Sequence, residues 1–132
     1  MAAKKSERAL VDEWREVLAL HARTICELDR ELHRHGLGAS DFEVLDVLAE
    51  KSGDGDCSFR VQELASRVHL SQSALSRLVA RLEKDGLVNR GMCSEDRRGV
   101  RVALTEAGRA RHTEVQPLQR AVLSRMLANP TA

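Results

Sequence analysis

From Ser71 to Lys84 the chain reads SQSALSRLVARLEK, and winding it as a helix separates two chemistries. Leu75, Leu78, Val79 and Leu82 share one stripe, while Ser73, Ser76, Arg77, Ala80, Arg81 and Lys84 share the other face. That outer face holds no acid and no bulky hydrophobe. Its hydroxyls allow close approach to another surface, and its guanidiniums can bond phosphates or the O6/N7 edge of guanine. Ser71 and Gln72, at the start of the helix, join this outward set. A helix with one charged face is by itself usually just a solvated helix. A second basic element follows, however: Ser94-Glu95-Asp96-Arg97-Arg98-Gly99, with paired arginines closed by glycine. The chemistry on offer is anion contact and base-edge hydrogen bonding. Ser71, Ser73 and Ser76 have no G-x-S-x-G elbow, and no glycines form a phosphate-cradling loop, so no enzyme is expected. No catalytic residue, cofactor or metal ligand is assigned.

The elements that must position these residues are legible on either side. Val61, Leu64, Ala65 and Val68 give a short helix one apolar face, His69-Leu70 is the join, and Ser71 stands as N-cap of the second helix. Asp85-Gly86 ends that helix, Gly86 being free to turn left-handed. Leu87–Arg90 and Val100–Leu104 alternate as strands, and Cys57–Arg60 is a minimal strand expected to pair with them. Two short helices followed by a basic-tipped hairpin make a winged helix-turn-helix lobe, placed over residues 41–104.

Upstream, Val11, Trp14, Leu18, His21, Ile25, Leu28 and Leu32 recur in alternating steps of 3 and 4, predicting one long helix from Ser6 to Arg34. Such a helix is roughly 43 Å long, more apolar stripe than a small lobe can cover, so a second copy of the chain is expected against it. His35-Gly36-Leu37-Gly38 breaks it, and Ser40 with Glu43 reads as the capping box of a helix that fades at Lys51. Phe42, Val44, Leu45 and Leu48 form the inner face of that helix, and Ser52–Asp56 reads as a turn whose acidic pattern lacks calcium-ligand spacing. After the wing, Thr105 caps a final helix through Leu118, Val122 and Met126, with Pro117 expected to kink or divide it. The fold class is therefore mainly α with a small β-wing. A single domain over 1–132 carries dimerisation helices at 6–35 and 105–130, with Val11, Trp14, Leu18, Ile25, Leu118 and Val122 at the dimer interface.

Composition agrees. A hydrophobic fraction of 42% with only 2% aromatics implies an aliphatic core, and the net charge of +1 hides an uneven distribution. Residues 1–51 hold eight Lys/Arg against eleven Asp/Glu, whereas residues 71–111 hold nine against five. Basic charge gathered on one segment is an electrostatic footprint. Cys26, Cys57 and Cys93 are odd in number and form no C-x-x-C, which suits a reducing compartment. With no apolar leader and no apolar run approaching the ~18 residues of a spanning helix, a cytoplasmic protein without membrane contact is expected.

The runs LSQSALSRLVARLEKDGLVNR and SEDRRGVRVALTEAGRA resemble the recognition helix and wing of MarR-type bacterial transcription regulators. The D-x-R of the wing (Asp96, Arg98) followed by L-T-x-x-G (Leu104, Thr105, Gly108) carries the resemblance most specifically. It implies a homodimer on a palindromic double-stranded operator, most often a repressor released by a small organic effector. The recognition helix would enter the major groove, with Arg77 and Ser73 on base edges and Ser76, Arg81, Lys84 and Arg97 on phosphates. Asp96 would brace Arg98 in the minor groove. The resemblance also places an effector pocket between the first two helices and the lobe, for which Trp14, Arg15, His21 and Phe42 are candidate lining residues. The chain stops at Ala132, earlier than most of the family, whose last helix returns to the dimer interface; this leaves the extent of that interface open.

Three alternatives accompany this reading. Metal-responsive relatives would draw on Cys26, Glu27, His33, His35 and His112, but the H-x-x-x-H pair of a zinc-responsive last helix is absent. Thiol-oxidation sensing would use Cys26, which lacks the tyrosines of peroxide-sensing relatives and borders the apolar seam, so a buried inert thiol is expected there. A winged helix serving only protein interaction is disfavoured by the acid-free outer face.

Overall fold

The computed structural model describes residues 4–51, 58–93 and 96–128, with backbone alone at 51, 58, 92–93 and 96–99. Ser52–Asp56, Cys57 and the Ser94-Glu95 tip lie outside the described residues, as do the side chains of Cys93, Asp96, Arg97 and Arg98. Helix α1 spans Glu7–Leu32, capped by Ser6, whose hydroxyl accepts from the Ala9 N–H at 3.1 Å. A 3-10 turn (His33–His35) follows where the sequence predicts helix through Arg34. Then come α2 (Ala39–Lys51), β1 (Ser58–Arg60), α3 (Val61–Val68), α4 (Gln72–Lys84), β2 (Val88–Cys93), β3 (Asp96–Leu104) and α5 (Glu106–Leu123), closed by a π-helical turn at Ser124–Ala128.

The expected capping box of α2 is out of register. Ser40 lies inside the helix, whose first carbonyl bond runs from Phe42 N–H to Gly38 O at 3.0 Å. The reciprocal bond comes from Asp41, whose Oδ2 accepts from the Gly38 N–H at 2.8 Å, while Asp29 of α1 accepts from the Ala39 N–H at 2.8 Å. Two carboxylates thus serve the N-terminal donors where a serine hydroxyl is expected.

The three strands form an antiparallel sheet in the order β1-β3-β2, with Phe59 opposite Val102 and Val88 opposite Leu104. Both wing strands outrun their expected lengths. Met92 faces Val100 and Cys93 faces Asp96, which leaves Arg97, Arg98 and Gly99 as an irregularity within β3. Helix α5 is not divided at Pro117. Pro117 and Thr113, whose carbonyl loses its i+4 partner, both face solvent, while Val115, Gln119 and Val122 anchor the opposite face in the core.

One apolar cluster joins the lower end of α1 (Leu28, Leu32), α2, the helix-turn-helix, the sheet and α5. Within it lies a polar knot. Asp46 Oδ1 is 2.7 Å from His112 Nε2, Arg120 Nη2 is 3.1 Å from both Asp46 oxygens, and the imidazole stacks on Phe42 at 5.4 Å. The upper half of α1 is different: Leu10, Trp14, Val17 and Leu18 are 53%, 58%, 54% and 47% exposed. The seam read from the sequence is therefore split, with Leu28 and Leu32 in the core and Trp14, Leu18 and His21 exposed.

Candidate nucleic-acid interface

Helix α4 keeps the rotation its pattern predicts. Leu75, Leu78, Val79 and Leu82 are buried, and Ser71, Gln72, Ser73, Ser76, Arg77, Ala80, Arg81 and Lys84 are exposed. Its first turn contains no acid, and Ser71 Oγ accepts from the Ala74 N–H at 3.1 Å. A join with Leu70 N–H on Ala65 O at 3.1 Å sets α4 against α3. Here His69 itself takes the left-handed conformation, at φ 58°, a position where histidine is tolerated better than most side chains.

The far end of α4 is fixed to the wing. Gly86, at φ 78°, lets Gly86 N–H reach Glu83 O at 3.0 Å and Leu87 N–H reach Leu82 O at 2.9 Å, closing the helix and launching β2. Glu83 then spans the corner, accepting from the backbone N–H of Arg90 at 3.1 Å and from its guanidinium at 3.0–3.1 Å. These bonds, the backbone one foremost, hold the Glu83 carboxyl below the usual glutamate range.

The L-T-x-x-G signature has a physical reason. Thr105 N–H donates to Leu87 O at 3.1 Å, its hydroxyl donates to Gly86 O at 2.6 Å and accepts from Gly108 N–H at 2.9 Å. Gly108 sits so close that a Cβ there would lie 2.0 Å from Leu87 O. The start of α5 is thereby locked onto the corner between α4 and β2.

The backbone of Asp96, Arg97 and Arg98 lies in the hairpin strand at the end away from α5. Between the start of α3, α4 and the wing strands is a cleft of about 360 Å³ lined by Arg60, Gln72, Ser76, Arg90 and Val100 among others. A second cavity, of about 600 Å³, opens between α1, α2 and the α3–α4 turn, with His21, Ile25, Glu43, Arg67 and His69 in its wall. Of the four candidate pocket residues only His21 lines it. Phe42 is fully buried against His112, which makes it core, and Trp14 and Arg15 are exposed elsewhere on α1.

The remaining candidates are dispersed. His112 faces Asp46, His35 faces Glu114 at 3.3 Å, Glu27 pairs with Arg30 and Arg125, and His33 is exposed. Cys26 is exposed, not buried as expected, because α1 turns that face away from the core. Val11, Ile25 and Leu118 are half-buried, but Val122 is 1% exposed within the chain itself and has no surface to present to a second copy. Sequence reasoning missed Glu83, Arg90 and Asp41. Asp41 was signalled by its place three residues after Gly38, the other capping spacing available in this stretch.

Comparison with known proteins agrees with this geometry. Residues 35–99 match the model of the MarR family. AbsC, a MarR family transcriptional regulator from Streptomyces coelicolor, is 30% identical with a TM-score of 0.81, over 99% of this chain and 86% of its own. Sco3205, a MarR family transcriptional regulator of the same organism solved in complex with DNA, is 27% identical with a TM-score of 0.82, over 99% and 81%. The HTH-type transcriptional repressor MdtR of Bacillus subtilis (strain 168) is 27% identical across 95% of this chain and 77% of its own length. Among the described residues no helix is long and apolar enough to cross a membrane. With its buried stripe, its wing and its L-T-x-x-G lock all in place, the chain belongs to the MarR family of transcriptional regulators.

Proposed function

We propose that this chain acts as a homodimeric, sequence-specific DNA-binding repressor. The observation that carries the reading is the outward face of α4, exposed, free of acid and bearing Ser73, Ser76, Arg77 and Lys84 on a rigidly mounted helix. In a major groove, Arg77 and Ser73 reach base edges, while Ser71, Gln72, Ser76 and Lys84 lie along phosphates. The wing meets the neighbouring minor groove with Arg97 and Arg98, Asp96 bracing the latter where negative potential is greatest. The exposed apolar half of α1 supports a dimer, since Leu10, Trp14, Val17 and Leu18 form a contiguous stripe that a second copy would cover. Two such lobes would read half-sites about one helical turn apart.

Release by a small organic molecule is supported by the cavity between α1, α2 and the helix-turn-helix, which mixes Ile25 and Leu28 with His21, Glu43 and Arg67. The test is a gel-shift with the DNA upstream of the protein's own gene. A discrete complex that survives excess random duplex is the expected result; a smear competed equally by any DNA contradicts sequence-specific repression.

A further inference from the structure

One basic residue of α4 is not free. Arg81, expected from its outward position to meet a phosphate, bonds through Nη2 to Asp41 Oδ1 of α2. The partners differ in exposure: the Arg81 side chain is 59% exposed and that of Asp41 only 7%. Burying a carboxylate costs least where donors replace its water. Among the described residues Asp41 has Arg81 on Oδ1 and the Gly38 N–H on Oδ2, the latter at 2.8 Å. A second acid crowds the same point. A Cβ on Gly38 would lie 3.4 Å from Asp29 Oδ1 and 3.5 Å from Asp41 Oδ2, so α1 and α2 each bring a carboxylate to the start of α2. Were Arg81 to swing to a phosphate, Asp41 would lose its cation beside a second acid.

The pair also joins elements that otherwise touch little. Helix α4 packs mainly on α3 and β2. Glu83–Arg90 ties one end of its surface to the wing, and Arg81–Asp41 ties another part to α2. Together with the buried stripe of Leu75, Leu78, Val79 and Leu82, these two ties on different sides hold the rotation of α4 about its axis. Rotation matters because Arg77 and Arg81 are one turn apart on the outward face, and a few degrees move a guanidinium off a base edge.

We propose that Asp41 and Arg81 are a positioning pair for DNA recognition: Asp41 sets the rotation of α4 through Arg81, and Arg81 itself contacts no phosphate. The inference rests on the DNA-binding reading above and assigns these two residues a role within it.

The test is a double-mutant cycle on the full-length protein. The probe is a duplex that the wild type selects from a randomised pool, with a scrambled duplex beside it, each titrated across a salt series. Asp41→Asn keeps an oxygen for the Gly38 N–H and removes the charge; Arg81→Gln removes the cation. Each single change is expected to weaken the selected duplex by about tenfold, and the double variant by no more than either, because both break one interaction. The salt slope of Arg81→Gln stays that of the wild type, and Arg81→Lys recovers part of the loss. A slope flattened by about one ion per protomer in Arg81→Gln overturns the proposal, since it marks a lost phosphate contact. So do multiplying losses, the absence of any loss, or tighter binding by Asp41→Asn, which would make Asp41 a competitor of DNA. If Asp41→Asn melts below the assay temperature, the slope of the exposed Arg81→Gln decides alone. A wild type that selects no duplex overturns the DNA-binding reading itself, whereas selection with a flattened Arg81→Gln slope overturns only this inference.

Discussion

Single carboxylates do much of the positioning in this chain, and their environments pull them in opposite directions. Glu83 is held below the usual glutamate range by the Arg90 N–H and guanidinium. Its contribution to stability is therefore present above the unfolded pKa, about 4.3, and lost as pH falls through the lower folded value. Glu43 is the reverse case. Partial desolvation first, and the Asp46 carboxylate second, push it above the usual range, with Arg120 opposing. A raised carboxyl costs stability at pH above its folded pKa, and the cost disappears below about 4.3. Glu43→Gln should accordingly raise the melting temperature at pH 7 and leave it unchanged near pH 4, as thermal melts at the two pH values will show. A variant that melts lower at pH 7 would mean the charge is used, for instance by Arg120. None of this was legible in the sequence. Burial of an ionisable side chain depends on what packs over it from far along the chain, and Asp46, His112 and Arg120 meet only because α2 and α5 cross.

At the scale of elements, the helix periodicities survived, and of the helix ends the close of α1 and the start of α2 did not. The inner stripe of α4 and its Ser71 cap were readable because burial of four aliphatic side chains and one local hydroxyl bond are set within thirteen residues. The start of α2 was misread because Ser40-x-x-Glu43 and Gly38-x-x-Asp41 are overlapping capping patterns. The decision between them comes from Asp29, ten residues away on α1. Pro117 was expected to kink or divide α5, which is not divided, and the face that the proline weakens is in water. The lock between α5 and the α4–β2 corner makes a sharp prediction. Gly108→Ala places a methyl 2.0 Å from the Leu87 carbonyl, and backbone must move to admit it. We expect a loss of about 1–3 kcal/mol in urea unfolding, the usual cost of overpacking a close contact. Because the wing is displaced with it, DNA binding at temperatures where the variant is folded should fall as well. Unchanged stability would show that the helix approach is looser than the geometry states.

For the molecule as a whole, the split of the α1 seam separates what one chain completes from what it leaves open. Leu28 and Leu32 finish the core of the lobe, whereas Leu10, Trp14, Val17 and Leu18 stay in solvent. The heptad pattern predicted a partner but not where the partner begins, since Leu28 and Leu10 look alike in sequence. Trp14→Glu and Leu18→Glu should shift the chain from dimer to monomer in light scattering while leaving its far-ultraviolet spectrum intact; a wild type that is already monomeric at micromolar concentration would contradict the dimer. The family itself was legible from the D-x-R and L-T-x-x-G runs, and the second has a backbone reason, since Thr105 and Gly108 meet Gly86 and Leu87 at the α4–β2 corner. If the outward face of α4 reads base edges, Arg77 is the side chain whose loss shows it. The measurement is fluorescence anisotropy of wild type and Arg77→Ala on the selected and scrambled duplexes. Arg77→Ala should lose roughly 1–3 kcal/mol on the selected duplex and less on the scrambled one, so that discrimination narrows. Equal losses on both would contradict it, placing Arg77 on the phosphate backbone.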